Sequence, residues 1–331
     1  MHILVVGATG LVGRTMLRVL EERNFPVDRL TLLASPRSAG IVIPFRGEDY
    51  PVLPLDEATM TGPLKALLPK SIALFSAGGS VSREWAPKFA AAGSTAIDNS
   101  SCWRMDPNVP LVVPEVNAAD ALTNSGIIAN PNCSTIQMVV ALKPLHEAFG
   151  LKRVVVSTYQ SVSGAGQKGV DQLRDEIAGR VPSSRITEHT LAYNAVFHNI
   201  AEAEGGSEEE IKMQRETRRI MHLPDLRIAV TCVRIPVTGG HAESIAIETE
   251  RPITPSAARD VLAAAPGIVI QDDPANGVYP MPLSAQDTDP VYVGRLRRDD
   301  SVENGLMMWV VSDNLRKGAA TNAVQIAETL M

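Results

Sequence analysis

Cys133 is the residue of this chain best set for covalent chemistry. It stands in Asn130-Pro131-Asn132-Cys133-Ser134-Thr135, just ahead of a helical apolar run over Ile136–Phe149. A thiol at or near a helix N-terminus meets the positive end of the helix dipole and unpaired backbone N–H groups, which favour the nucleophilic thiolate. The same N–H groups are placed to hold an oxyanion raised on a carbonyl that the thiolate attacks. Cys102, in a Ser-Ser-Cys-Trp turn, and Cys232, inside an expected strand, read as inert small hydrophobes. Three scattered cysteines form neither a disulfide framework nor a zinc cluster, so a reducing, cytoplasmic setting without metal is expected.

Such a thiol needs a proton carrier. The histidines are His2, His146, His189, His198, His222 and His241, and their spacings match no metal motif. His241 follows a Gly-Gly turn and precedes a strand in Thr238-Gly239-Gly240-His241-Ala242-Glu243-Ser244, a backbone suited to presenting a side chain. His198 and His222 lack such a setting and read as surface histidines.

A second chemical signal lies at the start of the chain. Gly7-Ala8-Thr9-Gly10-Leu11-Val12-Gly13 follows the apolar run Ile3–Val6 and opens the helical spacing Leu11–Arg23. In that context the glycines allow a tight turn, close backbone approach to a pyrophosphate, and helix-on-strand packing. The second strand then ends Leu32-Leu33-Ala34-Ser35-Pro36-Arg37-Ser38. A site for NAD usually places a carboxylate there, which would repel a 2′-phosphate. Ser35, Arg37 and Ser38 would bind one, so NADP is expected. A nucleotide loop together with an activated cysteine suggests aldehyde oxidation through a thiohemiacetal, or its reverse.

These residues need two frameworks. Leu30–Ala34, Ile72–Phe75 and Thr95–Asp98 read as further buried strands, with a helix over Trp85–Ala92, a βαβ rhythm that implies a mostly parallel, doubly wound sheet. Val154–Gln160, Leu226–Ile235, Ser244–Thr249, Val291–Arg297 and Leu306–Val311 read as a mixed or antiparallel sheet with helices on one face. Arg316–Thr329 reads as a helix that returns to the first domain, and the acidic Ala201–Glu210 stretch as a solvated loop. The expected class is α/β: a Rossmann-type domain over 1–132 and 315–331, and an α+β catalytic and dimerisation domain over 133–314. The 331 residues suit two domains, and 45% hydrophobic content suits a well-formed core. A net charge of −6 and 4% aromatic content argue against nucleic-acid or anionic-membrane binding. No apolar run approaches the ~18 residues of a membrane span, and the N-terminal one is too short for a signal-peptide core.

The motifs GATGLVG, ASPRSAG, FSAGGS, DNSSCWRM, VPEVN, NPNCST, YQSVSGAG, EEEIKM, RIPVTGGHAES and SDNLRKGAA run the length of the chain. As a set they resemble bacterial-type aspartate-semialdehyde dehydrogenases. The resemblance implies NADPH-dependent conversion of 4-phospho-L-aspartate to L-aspartate 4-semialdehyde with release of phosphate, by a homodimer or a dimer of dimers. It implies Cys133 as the acyl-carrying nucleophile, His241 as the general acid–base and Gln160 as the residue that orients substrate. It implies Arg234 on the substrate α-carboxylate, Arg104 and Lys212 at the phosphate, Glu209 toward the amino group and Asn132 in support. Asn314, Ser76, Ala77, Gly78, Ser163 and Gly164 are implied to line the cofactor. Which of Glu208, Glu209 and Glu210 faces substrate is open by one residue. Two other functions fit part of this pattern. An N-acetylglutamyl-phosphate reductase would share loop, thiol and histidine, but its acetylated amine gives Glu209 no charge to meet. A non-catalytic paralogue would have lost the thiol or the histidine.

Overall fold

The computed structural model describes residues 1–201 and 205–331. It has two compact units, Met1–Pro131 with Ala319–Met331, and Asn132–Gly318. In the first, strands β1 (His2–Val6), β2 (Arg29–Ala34), β3 (Val42–Phe45), β4 (Glu48–Pro54), β5 (Ile72–Phe75), β6 (Thr95–Asp98) and β7 (Ile127–Ala129) form one sheet ordered β3-β4-β2-β1-β5-β6-β7. Every pair is parallel except β3–β4. Central β1 is an unbroken apolar run because helices cover both faces, and Ile3, Leu4, Val5 and Val6 are fully buried. The C-terminal helix Thr321–Thr329 contributes Ala323, Val324, Ile326 and Ala327 to this core, so both ends of the chain build the unit.

The β3–β4 hairpin was absent from the sequence reading. Pro44 interrupts its first strand, and proline within a strand is confined to sheet edges, where β3 lies. Its turn residues Arg46 and Gly47 both have positive φ, as a two-residue hairpin turn needs. The helix expected from Trp85 begins earlier and spans Gly79–Ala91. The expected Arg316–Thr329 helix is a π-helical turn, Arg316–Ala320, followed by the α-helix.

In the second unit the strands are β8 (Leu151–Gln160), β9 (Val196–Phe197), β10 (Ile200–Ala201), β11 (Gly206–Ser207), β12 (Arg227–Arg234), β13 (His241–Thr249), β14 (Ile268–Ile270), β15 (Val291–Asp299) and β16 (Gly305–Ser312). The large sheet runs β14-β15-β16-β13-β8-β12-β9 and is mixed, with β8–β12 and β14–β15 parallel. The helix Cys133–Phe149 is buried nearly all round from Ser134 to Leu142. The Ala201–Glu210 stretch is not one solvated loop. Residues 202–204 lie outside the described residues, β11 pairs with β10, and a helix Glu208–Ile220 begins directly after Ser207.

Strand order reverses beside β1, where open α/β sheets bind ligands at the carboxyl ends of their strands. The turns after β1 and β5 meet there. Gly7 has φ +87, and a Cβ on it would lie 2.4 Å from the Ser76 carbonyl oxygen. Gly7→Ala is therefore expected to lower stability by roughly 1–3 kcal/mol, read by denaturant unfolding, since it combines positive-φ strain with a backbone clash.

Candidate active site

Asn132 is the N-cap of the Cys133 helix, and every polar group of its side chain is engaged. Its Oδ1 accepts from Ser134 N at 2.9 Å and Thr135 N at 3.3 Å, and its Nδ2 donates to Glu209 Oε1 at 2.6 Å. Its backbone N–H donates to the buried Glu216 at 2.7 Å. Two of the N–H groups that the sequence left for an oxyanion are thus taken by the cap. Cys133 occupies the first helical position. Behind it the π-helical turn passes so close that a Cβ on Gly318 would lie 2.9 Å from Cys133 Cβ.

The three glutamates have separate tasks. Ser207 and Glu210 form a capping box, and Glu210 also accepts from Cys232 N at 2.9 Å. Glu208 is largely exposed, whereas Glu209 turns inward to Asn132. Lys212 lies 3.8 Å from Glu209 and 3.6 Å from Glu208. Glu216, seven residues after Glu209 and so on the same helix face, was missed, though that periodicity marks it.

The strand ends bring the other side chains to this turn. Gln160 ends β8 opposite Arg234, which ends β12. Gln160 Nε2 donates to Ser134 Oγ at 2.9 Å and lies 3.4 Å from Glu209 Oε1. Arg234 Nη1 donates to Ser161 O at 2.7 Å. Burial disfavours its charge, while Glu209 and Cys133 support it, which puts all three in one electrostatic neighbourhood.

His241 heads β13 and is fully buried. Its Nδ1 accepts from Ser161 N at 3.1 Å, so the neutral ring carries its proton on Nε2. Burial first, and the Arg234 charge second, push its pKa down to about 3. Nε2 has no hydrogen-bond partner among the described residues. Gly164 backs this ring, since a Cβ there would lie 3.3 Å from Nε2 and 3.4 Å from Arg234 Nη1. Asn314 Oδ1 gathers Ser161 Oγ at 3.0 Å, Ser163 Oγ at 3.3 Å and Gly240 N at 3.1 Å. Asn314 and Ser163 therefore tie three loops together around His241. Ser161, the centre of this network, was not singled out from sequence.

His198 corrects the surface reading. It is mostly buried, with its Nδ1 3.3 Å from Arg234 Nη2. Burial and then the Arg234 charge push its pKa down to about 4. His222 is exposed. Cys232 is fully buried, with a thiol that burial makes still harder to ionise.

The remaining expected residues lie in the first unit. Gly10 is the N-cap of helix Leu11–Glu22 with no side-chain cap hydrogen bond and no acidic residue in the first turn. That leaves its N-terminal amides, including those of Leu11, Val12 and Gly13, suited to an anion. Thr9 sits in the same turn, and Ser76, Ala77 and Gly78 form the turn after β5. Ser35 and Arg37 are exposed around the turn Pro36–Ser38 at the end of β2. Arg104 is buried, donating through Nε to Asn130 O at 2.9 Å and through Nη2 to Asn99 O at 3.0 Å. Among the described residues no helix is long and apolar enough to cross a membrane.

Comparison with known proteins agrees with this geometry. Residues 2–124 match the semialdehyde dehydrogenase NAD binding domain, and residues 142–317 match the semialdehyde dehydrogenase dimerisation domain. A curated aspartate-semialdehyde dehydrogenase from Aquifex aeolicus is 56% identical over 100% of this chain and 98% of its own. The chain belongs to the aspartate-semialdehyde dehydrogenase family. The crystal structure of aspartate semialdehyde dehydrogenase II from Vibrio cholerae complexed with ASA has a TM-score of 0.93 at 45% identity, covering 99% of this chain and 97% of that one. The Candida albicans structure with NADP has a TM-score of 0.76 at 25% identity, covering 99% and 98%.

Two features of this family member yield predictions. Gly318→Ala displaces Cys133, so its alkylation by iodoacetamide, followed by mass spectrometry, is expected to slow at least several-fold relative to the native protein. Glu243, two residues after His241 on the same strand face, is fully buried, and its carboxyl has no hydrogen bond of standard geometry. Gln137 faces it and favours its ionised form, but burial dominates and raises its pKa well above the usual 4.5. The folded state then holds a proton that the unfolded state releases, so this residue lowers stability as pH rises above that value. Glu243→Gln removes the titration. Its melting temperature is expected to gain more over the native protein at pH 8 than at pH 5.

Proposed function

We propose that the protein is a homodimeric aspartate-semialdehyde dehydrogenase that reduces 4-phospho-L-aspartate to L-aspartate 4-semialdehyde with release of phosphate. The reading rests chiefly on one observation: a cysteine at a helix N-terminus with a carboxylate, Glu209, and a guanidinium, Arg234, in its electrostatic neighbourhood. Those charges complement an ammonium and a carboxylate on one small acyl substrate. An acetylated amine would bring no positive charge for Glu209 to meet on the substrate, which disfavours the N-acetylglutamyl substrate. The first unit fits a dinucleotide, because the Gly10-capped helix offers amides to a pyrophosphate, and Ser35, Arg37 and Ser38 offer donors to a 2′-phosphate. NADPH, when bound, supplies the hydride. We assign Thr9, Ser76, Ala77 and Gly78 to its pocket, with Ser163, Gly164 and Asn314 on the nicotinamide side.

Cys133 thiolate attacks the acyl carbon, the C–S bond forms, and the C–O bond to phosphate breaks. Arg104 and Lys212 steady the departing phosphate, which takes up the proton consumed overall. After reduction the oxyanion reforms its carbonyl and expels the thiolate. Gln160 and Asn132 hold the nucleophile turn in place. His241 enters as a neutral donor, offering Nε2–H to the oxyanion, because a ring whose pKa lies near 3 is not charged at neutral pH.

Phosphate-dependent reduction of NADP with aspartate semialdehyde tests the activity, and its absence would overturn the reading. Cys133→Ala is expected to abolish that turnover while NADPH binding, followed by fluorescence titration, persists. His241→Ala is expected to cost roughly 100- to 1,000-fold in kcat, the worth of one oxyanion donor. His241→Gln keeps an N–H near Nε2 and is expected to retain more turnover than the alanine variant. Equal losses would return His241 to a proton-transfer role.

A further inference from the structure

The proposed chemistry leaves one group at the site unused. The His198 ring contacts Arg234 and makes no other hydrogen bond among the described residues, and its Nε2 is buried. An arginine only donates, so the imidazole accepts through Nδ1 and carries its proton on Nε2. The guanidinium is thereby held at two points, Nη1 on the Ser161 carbonyl at 2.7 Å and Nη2 on His198 at 3.3 Å. Two anchors on different nitrogens fix both the position and the plane of the fork. That matters because bidentate capture of a carboxylate needs two N–H bonds aligned together.

The surroundings explain why an anchor is needed. Arg234 and His198 line a 160 Å³ cavity whose other walls include Ile186, Leu191, Val196 and Phe197. A guanidinium with one anchor has that space to turn into. The charged groups that act on His198 are Arg234, Glu209, Lys212 and Glu210. Among these a charged ring would repel Arg234, whereas a neutral ring accepts from it.

We propose that His198 is a positioning residue that locks the Arg234 guanidinium and so sets selectivity for a substrate bearing an α-carboxylate. The proposal rests on the assignment of Arg234 to that carboxylate. It acts through ground-state and transition-state binding alike, so the expected loss is in KM and not in kcat.

Two variants and two substrates test it. His198→Leu removes the acceptor and keeps much of the volume. His198→Asn sets Oδ1 near the place of Nδ1 and restores the acceptor. With aspartate semialdehyde, phosphate and NADP, His198→Leu is expected to raise the KM for aldehyde roughly 10- to 100-fold, the worth of a hydrogen bond to a charged group. The change in kcat is expected to stay within a few-fold, and His198→Asn to recover most of the affinity. With the corresponding amino-aldehyde that lacks the α-carboxylate, all three proteins are expected to share one KM. A KM unchanged in His198→Leu, a rise equal for both aldehydes, or an asparagine variant as poor as the leucine one would overturn the proposal. A native enzyme that fails to distinguish the two aldehydes would instead overturn the Arg234 assignment, so the two failures separate.

Discussion

The cap on the Cys133 helix is the joint on which the second unit's candidate site depends. Asn132 satisfies two orphan N–H groups of the helix, reaches across to Glu209, and is held by Glu216 through its own backbone. One residue thus ties together the start of the Cys133 helix, the Glu208–Ile220 helix and the inward carboxylate of Glu209. A capping side chain is usually a matter of about 1 kcal/mol. Here it also helps set the distance between charges, and Gly318 leaves no room for a side chain against Cys133.

Burial is the second organising force. His241, His198 and Glu243 lie in low-dielectric surroundings, and each is pushed toward its uncharged form. Around Arg234 the two imidazoles are neutral, so they add no second positive charge beside the guanidinium. Arg234 keeps its charge among these groups, and the neutral histidines shape its surroundings without competing with it. The row Arg234–Gln160 at the strand ends, with His241 at the head of β13, exists because β12 and β8 run parallel in a register that ends them together. One residue of slip would turn these side chains to the opposite face.

The first unit follows a different logic. Its site is made of backbone, with Gly7 against the Ser76 carbonyl and the amides above Gly10, so it depends on close approach more than on side-chain chemistry. The apolar continuity of β1 and the return of the C-terminal helix keep those turns rigid.

Much of this was legible from local sequence, where local physics decides it. The buried parallel strands appear as apolar runs, the nucleotide loop as spaced glycines, and the helix start at Cys133 as Asn-Pro-Asn before an apolar period. The β3–β4 edge hairpin was hidden because Pro44 breaks the strand signal. The partners of each side chain were not legible, because contacts between residues far apart in the chain depend on sheet order and register. Ser161 as the hub for His241 and Asn314, Glu216 beneath Asn132, Gly318 behind Cys133 and His198 against Arg234 all belong to that class. The sequence by itself determined the local elements and the reactive groups that stand at their ends. The tertiary structure decided their protonation and aim, since burial sets the one and long-range packing sets the other.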